Sequence, residues 1–569
     1  MPAITSPGLG SGLDVNSIVE QLVAAEGDPK TAKLDRTEAR LQAELSSFGT
    51  LKSALSQFGS QASNLSRRST FNAFSTNSSN FNVVRAEAGS TAVAGSYQID
   101  VKQLAKAHSL ATAQGLFSDQ SDTVGTGTLT ISFGTTDYDP GTDYATGDDS
   151  YNGFTANEDI ETVTLTIDAN NNTLSGIRDA INNENAGVTA SLVNDGSGFR
   201  LLLTSDTGLA RSLQVNVIDD DGQSNDTTGL SVLAFNENAT NLEQTIAAQD
   251  TQVSVNGIEA TAETNTLKDV IQGVTLDLVA ADPGNLVNVT VERDDASIKD
   301  AINGFVSGYN ELFATLKTLT NFDPQTGQAG LLLGDSVVRG ITESIRREML
   351  SLQSQATGQY RILADIGIST TRTGELSVDD SRLGDALNAD LNSVMSLFAP
   401  MAVADDPNIR FSTSSAKTQD GVYGINLSSL ADANGNVQGT IGGLTASGNG
   451  TLLTGTGPAE GLVVEILGGN PGNRGEVTFS RGLADRLNGI IGNILDSDGL
   501  LSIRTSGIEN RLEGVAEDRL KLSERLVDIE ARFRKQFTAL DTLIAGMRAT
   551  SDFLSSQLAG LPTIGQNRN

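Results

Sequence analysis

The sequence predicts long helices with coiled-coil seams at both ends of the chain. Toward the C-terminus, apolar residues recur at steps of three, four and seven, and they are Val515, Leu522, Leu526, Ile529, Phe533, Leu540, Leu543, Met547 and Leu554. Near the N-terminus, similar steps recur at Leu34, Leu41, Phe48, Leu51, Leu55, Phe58, Ala62 and Leu65. This spacing places one apolar stripe along each helix. Helices of this kind at both termini are more typical of an assembly component than of an enzyme.

Each apolar stripe can pack either against the core of its own domain or against other subunits. A helical stripe often faces the core of its own domain. The C-terminal pattern, however, lasts roughly six heptads and would reach about 65 Å, beyond the width of a small domain. Polar residues at seam positions, namely Arg519, Gln536 and Thr550, lower stability but fix register. We expect stripes that a single chain cannot cover, with contacts to other subunits at Leu41, Phe48, Leu51, Leu55, Phe58, Leu65 and the nine C-terminal positions.

Charge excludes two classes of partner. The chain has 569 residues, enough for three or four domains, and a net charge of −32. Nucleic acid and anionic membranes both favour basic patches, so neither is expected as a partner. There is no cysteine, hence no disulfide and no thiolate metal site. The N-terminus lacks the pattern of a cleaved signal peptide, and no apolar run is long enough to span a membrane.

Helical and strand-like segments alternate along the chain. Asp14 is a plausible N-cap for a short first helix, and the sequence Gly27-Asp28-Pro29 is expected to break it before a second helix over 29–65. Asn256-Gly257 predicts a hairpin with a type I′ turn. Further strands are expected over 81–103, 128–133, 162–167, 188–193, 199–204 and 402–480, and further helices over 173–182, 297–319, 337–350 and from 483 onward.

This order predicts an α+β multidomain protein, with terminal coiled-coil legs, a helical stalk and β-rich head domains inserted into it. The expected divisions are an N-terminal leader and leg at 1–70, a head domain at 71–112 plus 247–296, a second head domain at 113–246, a stalk domain at 297–400, an inserted β domain at 401–481, and the returning stalk and C-terminal leg at 482–569.

Catalytic and metal-binding motifs are absent from the sequence. His108 is the single histidine and has no motif partner, so it is expected to be an ordinary residue at the surface or a domain edge. Gly8, Gly10 and Gly12 follow no strand and predict a flexible leader rather than a nucleotide loop. Acidic residues at 137, 139, 143 and 148 imitate calcium-loop spacing, but Thr142 stands where glycine is needed, and Asp219-Asp220-Asp221-Gly222 resembles a turn. We therefore predict no enzyme activity, cofactor or metal.

Several segments together resemble one family, the flagellar filament cap proteins, also called hook-associated protein type 2. The opening ITSPGLGSGLDVNSIVEQLVAAE and the segment YQIDVKQLAKAHSL at 97–110 are similar to it, as is the ending at 532–558. The other segments that carry the resemblance lie at 173–193, 253–278, 305–312 and 363–383. They follow the family's order over nearly the whole chain. The β tract at about 402–480 departs from this pattern and looks like an insertion.

The resemblance implies a non-enzymatic assembly factor at the distal tip of the bacterial flagellum. Such proteins form a ring, often a pentamer, whose helical legs enter gaps among the topmost flagellin subunits. The ring retains exported flagellin and promotes its folding and polymerisation. It also implies secretion through the flagellar type III apparatus without a cleaved signal peptide, and an export chaperone bound to the C-terminal region. The heptads alone do not fix the number of subunits.

Two alternatives remain open at this point. An acidic β-rich head facing outward could act as an adhesin that binds mucin or host glycans, as some members of the family do. A junction protein between hook and filament would share the helical ends, but it should lack the segments at 97–110 and 256–278.

Overall fold

The computed structural model describes residues 14–141, 149–353, 356 and 358–560. The chain divides into two compact units, Met1–Phe71 with Ile298–Asn569 and Asn72–Ser297, and the expected α+β multidomain class is confirmed. The α-helices are α1 Val15–Leu65, α2 Arg68–Phe71, α3 Leu174–Glu184, α4 Asp295–Thr320, α5 Ser336–Met349, α6 Asp380–Ala389, α7 Leu391–Phe398, α8 Leu483–Leu495 and α9 Leu500–Ala559.

Helix α1 is continuous, so the predicted break at residues 27–29 is wrong. Asp14 does cap the helix, since its side chain accepts a hydrogen bond from the Ser17 N–H. Gly27 is buried because α9 lies close to it: a Cβ atom there would be 2.8 Å from a Leu526 methyl carbon. Glycine here permits close packing of two helices, and that packing offsets the cost of Pro29 inside the helix.

The described residues of the unit Asn72–Ser297 form four β-sheets. The strands are β1 Phe74–Ser78, β2 Val84–Ala88, β3 Gly95–Gln103, β4 Ala107–Thr112, β5 Gly127–Asp139, β6 Ser150–Ala156, β7 Val163–Ile167, β8 Val188–Asn194, β9 Phe199–Thr207, β10 Ser212–Asp219, β11 Phe235–Asn236, β12 Ala239–Thr240, β13 Leu242–Ile246, β14 Thr251–Val255, β15 Ile258–Ala262, β16 Thr266–Ile271, β17 Val274–Leu278 and β18 Val287–Arg293. The strand orders of the four sheets are β1-β18-β3-β14-β15, β16-β17-β2, β13-β4-β9-β8 and β12-β11-β10-β5-β6, with β7 also paired to β5.

Two separate apolar clusters lie among the described residues of this unit. One lies among residues 83–101 and 253–291, and the other among residues 110–242 around Phe133, Leu213 and Phe235. Since β1 pairs antiparallel with β18, with Phe74 opposite Arg293, the chain enters and leaves the unit side by side. The division of this region into two head domains, at 71–112 plus 247–296 and at 113–246, stays a prediction.

The local signals predicted several elements of this unit correctly. The Asn-Gly hairpin forms between β14 and β15, and Asn256 and Gly257 both have positive φ, 50° and 84°, as a type I′ turn requires. Helix α3 begins after Thr173, whose hydroxyl accepts a hydrogen bond from the Gly176 N–H. The tract Asp219-Asp220-Asp221-Gly222 is a turn closed by a 3.2 Å bond from the Gly222 N–H to the Asp219 carbonyl oxygen.

The other unit carries an inserted β domain on its helices. The strands of this unit are β19 Phe322–Asp323, β20 Gln328–Ala329, β21 Ile368–Thr370, β22 Leu376–Val378, β23 Met401–Ala404, β24 Ile409–Thr413, β25 Gly421–Ser429, β26 Gln438–Ile441, β27 Leu444–Asn449, β28 Leu452–Thr454, β29 Val463–Ile466 and β30 Gly472–Ser480. The last eight of these strands form a sheet in the order β23-β30-β25-β26-β27-β28-β29-β24 around one apolar cluster. Met401 in β23 pairs with Ser480 in β30, so the tract leaves and rejoins the helical part at one place.

Candidate functional site

Helices α1 and α9 pack side by side and run antiparallel. Arg519 of α9 donates a hydrogen bond to Asp35 of α1 at 2.7 Å and also pairs with Glu38. Further along α9, the Arg534 guanidinium donates to the Asn16 side-chain oxygen at 2.7 Å. The residue that lies later in α9 contacts the residue that lies earlier in α1, so the two helices are antiparallel, and these two contacts define their register. Arg519 is one of the polar seam residues of the sequence pattern, and its ion pairs agree with a role in setting the register between the helices.

The stripe on α1 is covered within the chain. The predicted contact residues Leu41, Phe48, Leu51, Leu55, Phe58 and Leu65 are all fully buried. The Phe58 ring lies 5.3 Å from Phe305 and 6.0 Å from Tyr309, both in α4. The Phe48 ring lies under the Arg504 guanidinium of α9, 5.9 Å from ring centre to charge. The expectation that a single chain leaves this stripe uncovered is therefore wrong for α1.

The stripe on α9 changes character along its length. Val515 and Ile529 are buried, and Leu522, Leu526 and Phe533 are half-buried. Beyond them the exposed fraction rises, to 46% at Leu540, 60% at Leu543, 64% at Met547 and 55% at Leu554. The apolar step also continues one turn further than predicted, to Leu558, which is 68% exposed. We call Leu540, Leu543, Met547, Leu554 and Leu558 the distal stripe.

The register of the two helices explains this change. Since Arg534 already meets Asn16, next to the first residue of α1, the rest of α9 extends past the described end of its partner helix. The extension to Ala559 is on the order of 35–40 Å long at 1.5 Å per residue. The distal stripe is thus an apolar surface that no described segment of the chain covers. Its contact with other subunits stays a prediction.

The distal part of α9 is also poor in charge. Between Gln536 and Gly560 the charged residues are Asp541, Arg548 and Asp552, whereas the preceding turns carry charges at most outward positions. For a chain of net charge −32, this is a stretch of low charge beside exposed leucines. Contiguous exposed apolar surface of this kind typically marks a protein interface.

His108 is part of a buried hydrogen-bond network and not a surface residue, which corrects the sequence-based expectation. Its Nδ1 accepts a 2.8 Å hydrogen bond from the Leu213 N–H, and its Nε2 lies 2.9 Å from the Gln244 side-chain oxygen. Burial lowers the pKa of His108 to about 4, although the hydrogen bond to Gln244 acts in the opposite direction. The ring is fully buried and contacts Phe235, so it serves the core of its unit. No pattern in the sequence predicted the burial of His108.

The described residues contain no group of acidic or histidine side chains that could hold a metal ion. Asp137 and Asp139 lie in β5, while Thr142, Asp143 and Asp148 lie outside the described residues, as do Gly8, Gly10 and Gly12. Within the same described part of the chain, no helix combines the length and the hydropathy needed to cross a membrane.

Comparison with known proteins identifies relatives over most of the chain. Two family models match, "Flagellar hook-associated protein 2 N-terminus" over residues 11–108 and "Flagellar hook-associated protein 2 C-terminus" over residues 248–549. A flagellar hook-associated protein 2 of Escherichia coli K12 is 31% identical, with 98% of each chain covered. The B-type flagellar hook-associated protein 2 of Pseudomonas aeruginosa is also 31% identical, over 69% of this chain and 80% of its own.

A solved structure resembles the chain as well. It contains the D1-D2-D3 domains of the flagellar cap protein FliD from Escherichia coli and has a TM-score of 0.54 and 26% sequence identity. The match covers 81% of this chain and 99% of the other.

Proposed function

We propose that this chain, which belongs to the flagellar hook-associated protein 2 family, caps the distal tip of the bacterial flagellar filament. We further propose that it contacts neighbouring subunits through the distal stripe. In this role it retains exported flagellin and promotes its folding and polymerisation as the filament grows. It works as a structural factor, without catalysis or cofactor. The matches do not favour the adhesin or the hook–filament junction protein.

The exposure of the distal stripe is the observation that supports a subunit contact. Each of its five side chains is about half exposed or more, with values from 46% to 68%. Burying a leucine or methionine side chain fully is worth about 1.5–3 kcal/mol. Several such side chains along one helix face can therefore outweigh the cost of association and supply most of the binding free energy of a protein contact of moderate affinity.

The paired helices also suggest how the stripe is presented. Helix α1 and the first part of α9 form a packed rod held by Arg519 with Asp35 and Glu38. The distal part of α9 continues from this rod as one uninterrupted helix to Ala559. Helix continuity makes the distal stripe a leg that can enter a gap between subunits without a hinge. In the cap, we propose that the surfaces it meets are flagellin subunits at the filament tip.

Three further properties belong to this proposal. The chain forms a ring with copies of itself, a pentamer in our proposal. It leaves the cell through the flagellar type III apparatus without a cleaved signal peptide. Before assembly, an export chaperone covers the C-terminal helix, because exposed leucines of a secreted intermediate would otherwise favour aggregation.

A substitution within the distal stripe tests the proposal. Leu543→Asp replaces an exposed side chain, so the fold of the isolated protein should be retained, with an unchanged melting temperature. In the assembled cap the aspartate would lose the apolar burial and add a desolvation cost. We expect cells with this variant to release flagellin into the medium and to make short filaments or none, as measured by electron microscopy and by immunoblotting of the medium.

The matched control is Leu520→Asp, because Leu520 is a leucine on the same helix with 67% exposure, outside the distal stripe. It should leave filament length and flagellin release close to wild type. Full-length filaments in Leu543→Asp cells would contradict the proposed role of the distal stripe. Equal defects in both variants would show that any acidic residue on α9 disturbs assembly, and would contradict it as well.

A further inference from the structure

Arg68 lies at the junction of α1 and the inserted β domain and has no acidic partner among the described residues. Arg68 follows the end of α1, and its guanidinium carbon lies 5.2 Å from the centre of the Phe411 ring in β24. Its Nε is buried and has no hydrogen-bond partner in the described part of the chain. Burial lowers the pKa of Arg68, and none of the described carboxylates acts in the other direction.

Arg68 differs in this respect from the basic residues of the neighbouring β domain, which are paired. Their partners lie within the same unit, in the pairs Arg410–Glu465, Lys417–Glu460, Arg474–Asp406 and Arg481–Asp485. Arg486 of the following helix α8 is paired as well, with Glu348. The chain has 70 acidic residues against 38 basic ones, so an arginine that is half-buried without a carboxylate is unusual here. A desolvated guanidinium is costly unless an anion or a hydrogen-bond acceptor compensates it.

A cleft opens beside this arginine. It has a volume of about 220 Å³ and is lined by Ser66, Arg68, Pro400, Phe411 and the hydroxyl-bearing residues 412–414. A guanidinium stacked on an aromatic ring keeps its in-plane N–H groups available, and these match the two oxygens of a carboxylate. Hydroxyl groups around the cleft can donate further hydrogen bonds to such an anion. The cleft therefore has the chemistry of a carboxylate site.

We propose that this cleft receives an aspartate or glutamate side chain from a second copy of the chain in the ring. The inference rests on the ring of the proposed function. A closed ring of identical subunits uses two different, complementary surfaces on each copy. Between copies that each carry a charge of −32, like charges repel, and a cation that is not neutralised internally therefore favours the contact. Arg68 supplies that cation, and the acidic surface of the next copy supplies the anion.

Sedimentation velocity of the purified full-length protein tests this assignment. Arg68→Met keeps an apolar stem over Phe411 and removes the charge, so the melting temperature should stay within a degree or two of wild type. We expect the dissociation constant of the ring to rise about tenfold to a hundredfold, the range for losing a charged hydrogen bond. Arg68→Glu, which inverts the charge, should abolish the ring at the concentrations where wild type forms it. The wild-type ring should also weaken with added salt more than the Arg68→Met ring.

Arg67→Glu is the matched control, since Arg67 is the adjacent arginine and is exposed. It should associate like wild type. If wild type forms rings and Arg68→Met forms them equally well, the inference is wrong and the proposed function stands. If Arg68→Met rings are normal but fail to cap filaments, the anion belongs to flagellin and the inference is wrong. A wild type that stays monomeric at all concentrations overturns both the ring and this site.

Discussion

The buried histidine predicts a pH dependence of stability that can be calculated and tested. His108 accepts the Leu213 N–H through Nδ1, and protonation of Nδ1 would break that bond inside a fully buried site. Its pKa falls from 6.5 to about 4 on folding, mainly through burial. Between these two values the unfolded chain binds a proton that the folded chain does not. The free energy of unfolding must therefore fall as the pH falls.

The magnitude follows from the two pKa values. Lowering the pH from 7 to 5 protonates the histidine of the unfolded chain almost completely and leaves the folded one mostly neutral. The free energy of unfolding of the unit Asn72–Ser297 should drop by about 2 kcal/mol over this interval, and by about 3 kcal/mol once the pH is below 4. The loss over the first interval changes little if the folded pKa is half a unit higher or lower.

Urea unfolding of the full chain at pH 7, 6 and 5 measures this drop. The tyrosine signal in near-ultraviolet circular dichroism is a suitable probe, because Tyr138 and Tyr151 pack on Phe235, the same ring that contacts His108. His108→Gln is the control without a titrating group, and carboxylates contribute little above pH 5. Stability–pH curves of wild type and His108→Gln that run parallel between pH 7 and 5 would refute the reasoning.

Three other predictions concern the packing of α1, the exposure of α9 and the absence of a metal site. Phe58→Ala should lower the free energy of unfolding of the helical unit by about 3–5 kcal/mol, because it removes a fully buried ring that contacts Phe305 and Tyr309; a loss below 1 kcal/mol in urea unfolding would contradict that packing. Limited trypsin digestion should cleave first at Arg548 and leave α1 intact, and early cuts within 30–52 would show that α1 is not covered. EDTA should leave the melting temperature unchanged, whereas a drop of several degrees reversed by Ca²⁺ would indicate a calcium site.

Sequence periodicity predicted most elements of the fold because the local signals agree with the final packing. The Asn256-Gly257 turn, the Thr173 cap and the alternating strands are each decided by a few neighbouring residues. The break at Pro29 was predicted wrongly because Gly27 and Pro29 usually end a helix, and the compensating contact with Leu526 lies about five hundred residues away. The burial of His108 depends in the same way on Leu213 and Gln244, which periodicity does not bring together.

The candidate site also depends on contacts between distant parts of the chain, which sequence periodicity does not predict. The stripes on α1 and on distal α9 have similar steps and similar residues, yet Leu51 is fully buried and Leu543 is 60% exposed. Apolar periodicity predicts that a helix has an apolar face. It does not predict whether the segment that packs on this face belongs to the same chain. That depends on where each helix begins and on the register between them, which Arg519 and Arg534 set. Had α1 started at Pro29, its end would have met α9 near Glu524, and most of the α9 seam would have been free. The fourteen residues of α1 before Pro29 therefore decide that, within the α9 seam, the distal stripe is the part that no described segment covers.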